Sequence, residues 1–227
     1  MATKVTWLGH AAILIEVAGK NLLVDPFLSG NPSASIRPDR VRADYVLISH
    51  GHEDHVGDAV AIARRTKAPV ISNAEIVHWF SAQGVEGHAQ HLGGGHHYPF
   101  GYLKLTLAVH GSGLPDGSNG GNPAGFLLTT PEGTRIYLAG DTGLFGDMRL
   151  IGEEGVDLAA LPIGDNYTMG PQDALRAVKL IQPRHVIPIH YNTFEVIAQD
   201  AQAWAKRVEA ETKTQVHVLQ PGESLSL

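Results

Sequence analysis

The sequence predicts an α/β protein: a single domain spanning residues 1–227, built from two β-sheets with helices outside them. Three observations carry this expectation. Each half begins with strand-like runs, which then alternate with helix-spaced segments. No Pro/Ser-rich linker divides the chain, and no repeat of solenoid period is visible.

Taken in order, residues 5–8, 12–17 and 22–24 are short apolar or alternating runs. Ala18-Gly19-Lys20-Asn21 gives the second and third a hairpin turn. Asp25-Pro26-Phe27 stops the third strand, because proline cannot donate to a ladder. Residues 28–42 read as a Ser/Pro/Asn-rich loop, and residues 45–48 as a short buried strand. Residues 56–65 have helical spacing, 69–72 read as a strand, and 74–83 form a helix stopped at Gly84. Residues 103–109 alternate well and end at His110, followed by the glycine-rich segment 111–121. A second hairpin, 126–129 and 135–139, turns around Pro131-Glu132-Gly133. Residues 157–162 form a strand, 171–181 a helix with proline near its first turn, and 184–189 a strand. A last amphipathic helix, 200–211, precedes a strand at 215–219.

Composition narrows the classes. A formal net charge of −6 disfavours a broad nucleic-acid surface, which needs a Lys/Arg face. Cysteine is absent, which removes disulfides, thiolate nucleophiles and thiolate ligands together. No apolar run reaches the roughly 18 residues of a membrane span, and no secretory signal is seen. The expected location is the cytoplasm and the expected partner a small molecule, not a membrane.

The chemistry concentrates in Ser49-His50-Gly51-His52-Glu53-Asp54-His55. Three histidines and an aspartate follow directly on a strand, so a rigid edge delivers several ligand-type side chains to one point. With 13 histidines in the chain, a lone one is best read as packed or solvated; the ordered His-x-His-x-Asp-His pattern is not. Four such ligands crowd one tetrahedron. They fit better as halves of two adjacent sites, His50 and His52 facing one metal, Asp54 and His55 the other. Two sites demand further ligands at strand ends, and His110, Asp141 and His190 each terminate an apolar run. Singly these are weak signals, since Asp141-Thr142-Gly143 also reads as a turn.

With these residues in view, the chain resembles the metallo-β-lactamase superfamily. Trp7-Leu8-Gly9-His10, Asp25-Pro26-Phe27 and Gly164-Asp165-Asn166-Tyr167-Thr168-Met169-Gly170 resemble a bacterial and archaeal branch of metal-dependent hydrolases close to ascorbate-6-phosphate lactonases. The resemblance covers essentially the whole chain. It implies a four-layer αββα sandwich with the site at one edge of both sheets. It implies that His50, His52 and His110 hold a first metal, Asp54, His55 and His190 a second, and that Asp141 bridges them. Relatives suggest homo-oligomers. The zinc-clamp insertion of RNA-processing members is absent, and flavin-linked di-iron members place glutamate where this chain has His52.

Two divalent ions about 3.5–4 Å apart would share a bridging hydroxide, formed because metal binding lowers the pKa of water towards about 7. Zn²⁺ suits the ligands, while Mn²⁺, Fe²⁺ and Ni²⁺ can use the same set. Only Asp54 and Asp141 among the seven ligands are negative, so a residual positive charge favours an anionic or strongly polarised substrate. The expected reaction is hydrolysis of an ester, lactone, amide or phosphodiester. Asp54, His10 and Asp165 form the expected catalytic set: His10 meets substrate or protonates a leaving group, and Asp165 lines the mouth with Asn166 and Tyr167. Asp25 is the expected hydrogen-bond partner of a ligand histidine. Tyr191 is a weaker oxyanion candidate, and segment 111–121 a mobile flap. His78, His88, His91, His96, His97, His185 and His217 are left as structural or surface residues. Two readings compete: a nuclease or nucleotide phosphodiesterase with the same site chemistry, and a non-catalytic metal-binding scaffold.

Overall fold

The computed structural model describes residues 2–227. Its first sheet starts with an antiparallel meander, β1 (Lys4–Gly9), β2 (Ala12–Val17) and β3 (Lys20–Val24), whose tight turn places Ala18 and Gly19 at positive φ. β4 (Tyr45–Leu47), β5 (Val70–Asn73) and β6 (Gly87–Gln90) add in parallel to β3. β14 (Ser224–Ser226) returns to pair antiparallel with β1, giving the order β14-β1-β2-β3-β4-β5-β6.

The second sheet mirrors this division. β7 (Gly95–Tyr98), β8 (Gly101–Leu107), β9 (Ala124–Thr129) and β10 (Arg135–Leu138) run antiparallel. β11 (Leu158–Pro162), β12 (His185–Ile189) and β13 (Gln215–Val216) follow in parallel, giving the order β13-β12-β11-β10-β9-β8-β7. Each parallel step needs a crossover; the long loop of residues 25–44 supplies it between β3 and β4, and helices supply the others.

These helices are α1 (Glu53–Val56), α2 (Ala59–Thr66) and α3 (Ala74–Ala82) around the first sheet, and α4 (Met148–Glu153), α5 (Pro171–Ile181) and α6 (Ala201–Glu211) around the second. Ile62, Ile76 and Phe80 pack from α2 and α3 onto Val46, Ile48 and Val70 in one apolar cluster. A second cluster joins Ile13, Ile15 and Val24 of the first sheet to Leu105, Phe126 and Tyr137 of the second, and runs on to Leu175, Val178 and Trp204 of α5 and α6. β11 is therefore buried along its whole length, as a strand covered on both faces must be, and reads Leu-Ala-Ala-Leu-Pro without polar alternation. Each large aliphatic or aromatic side chain sealed here contributes roughly 1.5–3 kcal/mol. Among the described residues no helix is long and apolar enough to cross a membrane.

Several boundaries differ from the sequence reading. The helix expected at 56–65 is two pieces, broken at Gly57-Asp58. Gly57 sits at φ +38, and a Cβ there would lie 2.7 Å from the Pro26 carbonyl oxygen and the Phe27 Cα, so the chain bends where Asp25-Pro26-Phe27 crosses it. The strand expected at 215–219 pairs only over Gln215–Val216. β6, β7, β14 and α4 are additional elements. β6 and β7 consist of Gly, His, Ala, Gln and Tyr and lie at sheet edges, where no apolar face imposes a pattern.

Candidate metal centre

The site is assembled from strand ends of both sheets. The chain leaves β4 and enters α1 through Ser49-His50-Gly51-His52, which delivers His50, His52, Asp54 and His55 within one turn. From the second sheet His110 follows β8, Asp141 follows β10 and His190 follows β12. Their atoms form three overlapping groups: His50, His52 and His110; Asp54, His55 and His190, joined by His10; and His50, His55 and Asp141. Within each group the donor atoms lie within 4.8 Å of one another. His50, His55, Asp141 and His190 form a buried floor, while His52, Asp54 and His110 are half-buried above it.

The spacing suits cations held between these atoms. His52 Nδ1 lies 3.0 Å from His50 Nε2 and 3.2 Å from His110 Nε2. Two nitrogens each 2.0–2.1 Å from a tetrahedral Zn²⁺ would be about 3.3 Å apart. Asp141 spans both groups: Oδ1 is 3.3 Å from His55 Nε2, and Oδ2 is 3.0 Å from His190 Nε2 and 3.6 Å from His110 Nε2. Close as these atoms are, His55 Nε2, His190 Nε2 and Asp141 Oδ1 are buried without a hydrogen bond of proper geometry. Buried polar atoms rarely remain so unless something else satisfies them. A set of imidazoles and carboxylates with these atoms turned inward fits divalent transition metals.

Supporting residues fix the imidazoles. Asp25 Oδ2 accepts from His55 Nδ1 at 2.9 Å and from Ser49 Oγ at 2.6 Å, while Oδ1 accepts the Ser49 amide at 2.8 Å. Because the Ser49 hydroxyl donates to Asp25, it accepts from His50 Nδ1, 3.0 Å away. One carboxylate thus orients two histidines, one directly and one through a serine, and turns both Nε2 atoms into the site. Asp25 was readable as such a partner; Ser49 was not. On the other side Thr193 Oγ1 is 2.8 Å from His10 Nδ1, and His10 Nε2 is 3.1 Å from Asp54 Oδ2. Trp7 Nε1 and the His190 amide both donate to the His10 carbonyl at 2.9 Å, tying the ends of β1 and β12 together. His10, Asp25 and His190 all adopt positive φ at their strand ends, a conformation that non-glycine residues keep only when the surroundings hold them.

Burial and charge set the protonation states of the metal-free cluster. Burial disfavours charge on His190, but the adjacent Asp141 carboxylate and the nearby Asp54 outweigh it and hold its pKa up at about 9. His55 is likewise buried yet raised well above the usual value, by Asp141 and Asp25. Burial would raise Asp141, but His55 and His190 hold it well below the carboxylate range. Asp54 is also held below that range, its hydrogen bond to His10 and the nearby His190 and His55 imidazoles outweighing burial. Burial, then the charge on His55, push His50 well below the usual value. His10 drops to about 4, mainly through burial.

A cavity of about 740 Å³ opens above the floor, lined by His52, Asp54, His110, Asp141 and His190 together with Phe27, Glu53, Tyr167, Phe194 and Val196. The structure corrects four expectations. His10 has no exposed surface and is not part of the wall; it holds Asp54 from behind instead of facing substrate. Asp165 is exposed outside the wall and forms a turn: it sits at φ +63, its carbonyl accepts from Thr168 N, and its side chain packs against Gly170. From its loop only Tyr167 reaches the cavity. Segment 111–121 is pinned, not a flap: Gly113 bridges Asn119, Ser112 Oγ accepts the Gly51 amide, and the Gly120 carbonyl accepts from Asn73 Nδ2 at 2.7 Å. Tyr191, the weaker oxyanion candidate, stacks on Trp7 with ring centroids 5.5 Å apart, outside the cavity wall.

Two mixed sheets with outer helices and a His/Asp cluster at their shared edge define a metal-dependent hydrolase of the metallo-β-lactamase fold. The Beta-lactamase superfamily domain matches residues 4–190. Within that superfamily the chain belongs to the UPF0173 metal-dependent hydrolases. It is 50% identical to a member from Pelotomaculum thermopropionicum over 229 residues, covering 99% of this chain and 100% of that one. It is 48% identical to a member from Bacillus cereus over 230 residues, again 99% and 100%. Among solved structures, a metallo hydrolase from the hyperthermophilic archaeon Ignicoccus hospitalis superposes with a TM-score of 0.93 at 37% identity, covering 100% of this chain and 99% of that chain.

Proposed function

We propose that the chain is a binuclear metal-dependent hydrolase acting on a small molecule through an ester, lactone or amide bond. One observation carries this reading: Asp141 lies between two three-residue ligand groups, with an oxygen within 3.6 Å of His110 on one side and within 3.0 Å of His190 on the other. His50, His52 and His110 would hold one ion, Asp54, His55 and His190 the other, and Asp141 both. Zn²⁺ suits this set, and Mn²⁺, Fe²⁺ or Ni²⁺ compete by availability. Such a pair supplies a hydroxide nucleophile at neutral pH and an electrophile for the substrate oxygen.

The chain's own part is to position and to exclude. Asp25 and Ser49 fix the His55 and His50 rings, and His10 fixes the Asp54 carboxylate, so no ligand must reorganise during reaction. Phe27, Phe194 and Val196 limit water at the mouth. None of the lining residues is lysine or arginine, which supports a small molecule over a polynucleotide. All seven ligand positions carry ligand-type residues, which supports an enzyme over a silent scaffold.

The test is a metal titration of chelator-stripped protein, with elemental analysis and assays on p-nitrophenyl esters and bis(p-nitrophenyl) phosphate. Two ions per chain and metal-dependent ester hydrolysis, abolished in Asp141→Asn, are expected. Failure to retain more than one ion overturns the binuclear reading. Two ions without turnover on any substrate returns the scaffold, and phosphodiester turnover exceeding ester turnover returns the phosphodiesterase.

A further inference from the structure

Among the seven ligands only Asp54 and Asp141 are carboxylates, which by themselves leave two divalent ions with an excess of positive charge that would favour an anionic substrate. The folded site adds two more carboxylates. Asp25 lies directly beneath His55, and Glu53 is exposed at the cavity mouth between the ligands His52 and Asp54. Four carboxylates then offset the four positive charges of two divalent ions, and the charge that would attract an anion is gone.

The rest of the wall is apolar. Tyr167, Phe194 and Val196 are 58%, 42% and 53% exposed, among the few large apolar side chains left in solvent, and all three converge on this one cavity. Phe27 completes the wall, its ring 6.4 Å from that of Phe194. The wall is built, not loose. Asp58 Oδ2 accepts the Leu28 and Ser29 amides at 3.0 and 2.7 Å, and the Phe27 carbonyl accepts from Asn31 Nδ2 at 3.0 Å. Phe194 and Val196 ride on a short 3-10 turn, Glu195–Ile197, anchored by fully buried Ile197, whose carbonyl accepts the Asn192 amide at 3.0 Å. A cavity of about 740 Å³ has the size of a small-molecule site, and its contiguous apolar side needs an apolar partner.

We infer that Phe27, Tyr167, Phe194 and Val196 bind the hydrocarbon part of an uncharged acyl compound, an ester, lactone or amide, and that Glu53 turns away substrates with an anionic tail. The inference rests on the hydrolase reading above and narrows its substrate class. In the reaction a new bond forms between water oxygen and the acyl carbon, and the bond from that carbon to the alcohol or amine breaks. One proton of the water passes to the leaving group and the other is released with the carboxylate product.

Two measurements on the metal-loaded full chain test it. The first is calorimetric affinity for alkyl hydroxamic acids from acetyl to octanoyl, whose tails carry no charge. The second is kcat/KM for p-nitrophenyl esters from acetate to octanoate, with mono-p-nitrophenyl suberate as the anionic-tailed match for octanoate. Both affinity and kcat/KM should rise about fourfold per methylene, and the terminal carboxylate should lower kcat/KM tenfold or more. Phe194→Ala and Val196→Ala should each flatten the chain-length slope, and Glu53→Gln should narrow the suberate-to-octanoate gap at least threefold at equal metal content.

Turnover with slopes flat in both series, or a preference for suberate, overturns the inference and leaves the hydrolase reading standing. A rising hydroxamate slope without turnover of any ester overturns the hydrolase reading and keeps the apolar wall. Flat affinity with no turnover overturns both. A slope unmoved by Phe194→Ala, with a changed sedimentation coefficient, assigns the wall to a second copy of the chain and overturns the inference.

Discussion

The two sheets reach the metal centre in opposite ways. The first supplies four ligand-type side chains from one stretch, His50 to His55, pinned from below by Asp25 and Ser49. The second supplies one residue from each of three strand ends, His110, Asp141 and His190, held by the packing of the sheet itself. Local sequence builds one half of the site and topology builds the other. The first half should therefore fail through hydrogen bonds and the second through loss of individual ligands.

Asp141 is the place to break this arrangement most severely. It is 3% exposed and serves both ligand groups, so Asp141→Asn should reduce retained metal to one ion per chain or less. Activity should fall about a thousandfold or more, the scale seen when one member of a catalytic unit is removed. Retention of two ions by this variant, measured by elemental analysis, would show that the two groups are independent. Next come His52→Ala and His190→Ala, one from each half. Each should cost one ion, and a crossed double variant should retain none. Loss of both ions from either single variant would mean that the second site forms only on the first.

Asp25→Asn probes the hydrogen-bonded half with its ligands intact. Outer partners of ligand histidines typically change affinity by about 10- to 100-fold, and Asp25 serves two rings. Chelator competition should show a loss at the upper end of that range, and Ser49→Ala a smaller one confined to the ion nearer His50. Proton release gives a further comparison. In the metal-free chain His190 has a pKa of about 9 and His55 is raised well above its usual value, so both carry protons at pH 7. An imidazole binds a metal only in its neutral form, so loading releases these protons, and affinity should climb as pH rises from 7 to 9. Calorimetry in buffers of different ionisation enthalpy counts them; fewer than one released at pH 7 contradicts the assignment.

The same division explains what could be read in the sequence. The stretch from His50 to His55 is legible because its spacing is itself the geometry. His110, Asp141 and His190 are legible as strand terminators once a site demands partners. Asp25 is legible because a carboxylate at a strand end is a standard imidazole partner. Residues whose role depends on a distant contact are not: Ser49 acquires its role from Asp25, 24 positions away, and Thr193 from His10, 183 away. Asp165 misleads because the turn chemistry of Asp-Asn, both at positive φ, looks like a polar site loop. Segment 111–121 misleads because a glycine-rich run reads as mobility. At Gly120 its use is close approach, since a Cβ there would sit 2.6 Å from Ser112 oxygens. Phe194 and Val196 left one unused signal, two large apolar residues with no strand or helix period soon after a ligand.

The smallest expected effect comes from the point where the halves meet. Neutral His10 accepts from the Thr193 hydroxyl at Nδ1 and donates from Nε2 to Asp54, so a residue following β12 steadies a ligand of the first sheet. Thr193→Val keeps the shape and removes the hydroxyl. It leaves a buried nitrogen unpaired, a cost of about 1–3 kcal/mol in stability that a denaturant titration would detect. Asp54 keeps its own bond to His10, so metal affinity should fall only a few-fold, well short of Asp25→Asn. If chelator competition gives the two variants equal losses, the first half depends on the second as strongly as on its own hydrogen bonds, and the division drawn between them does not hold.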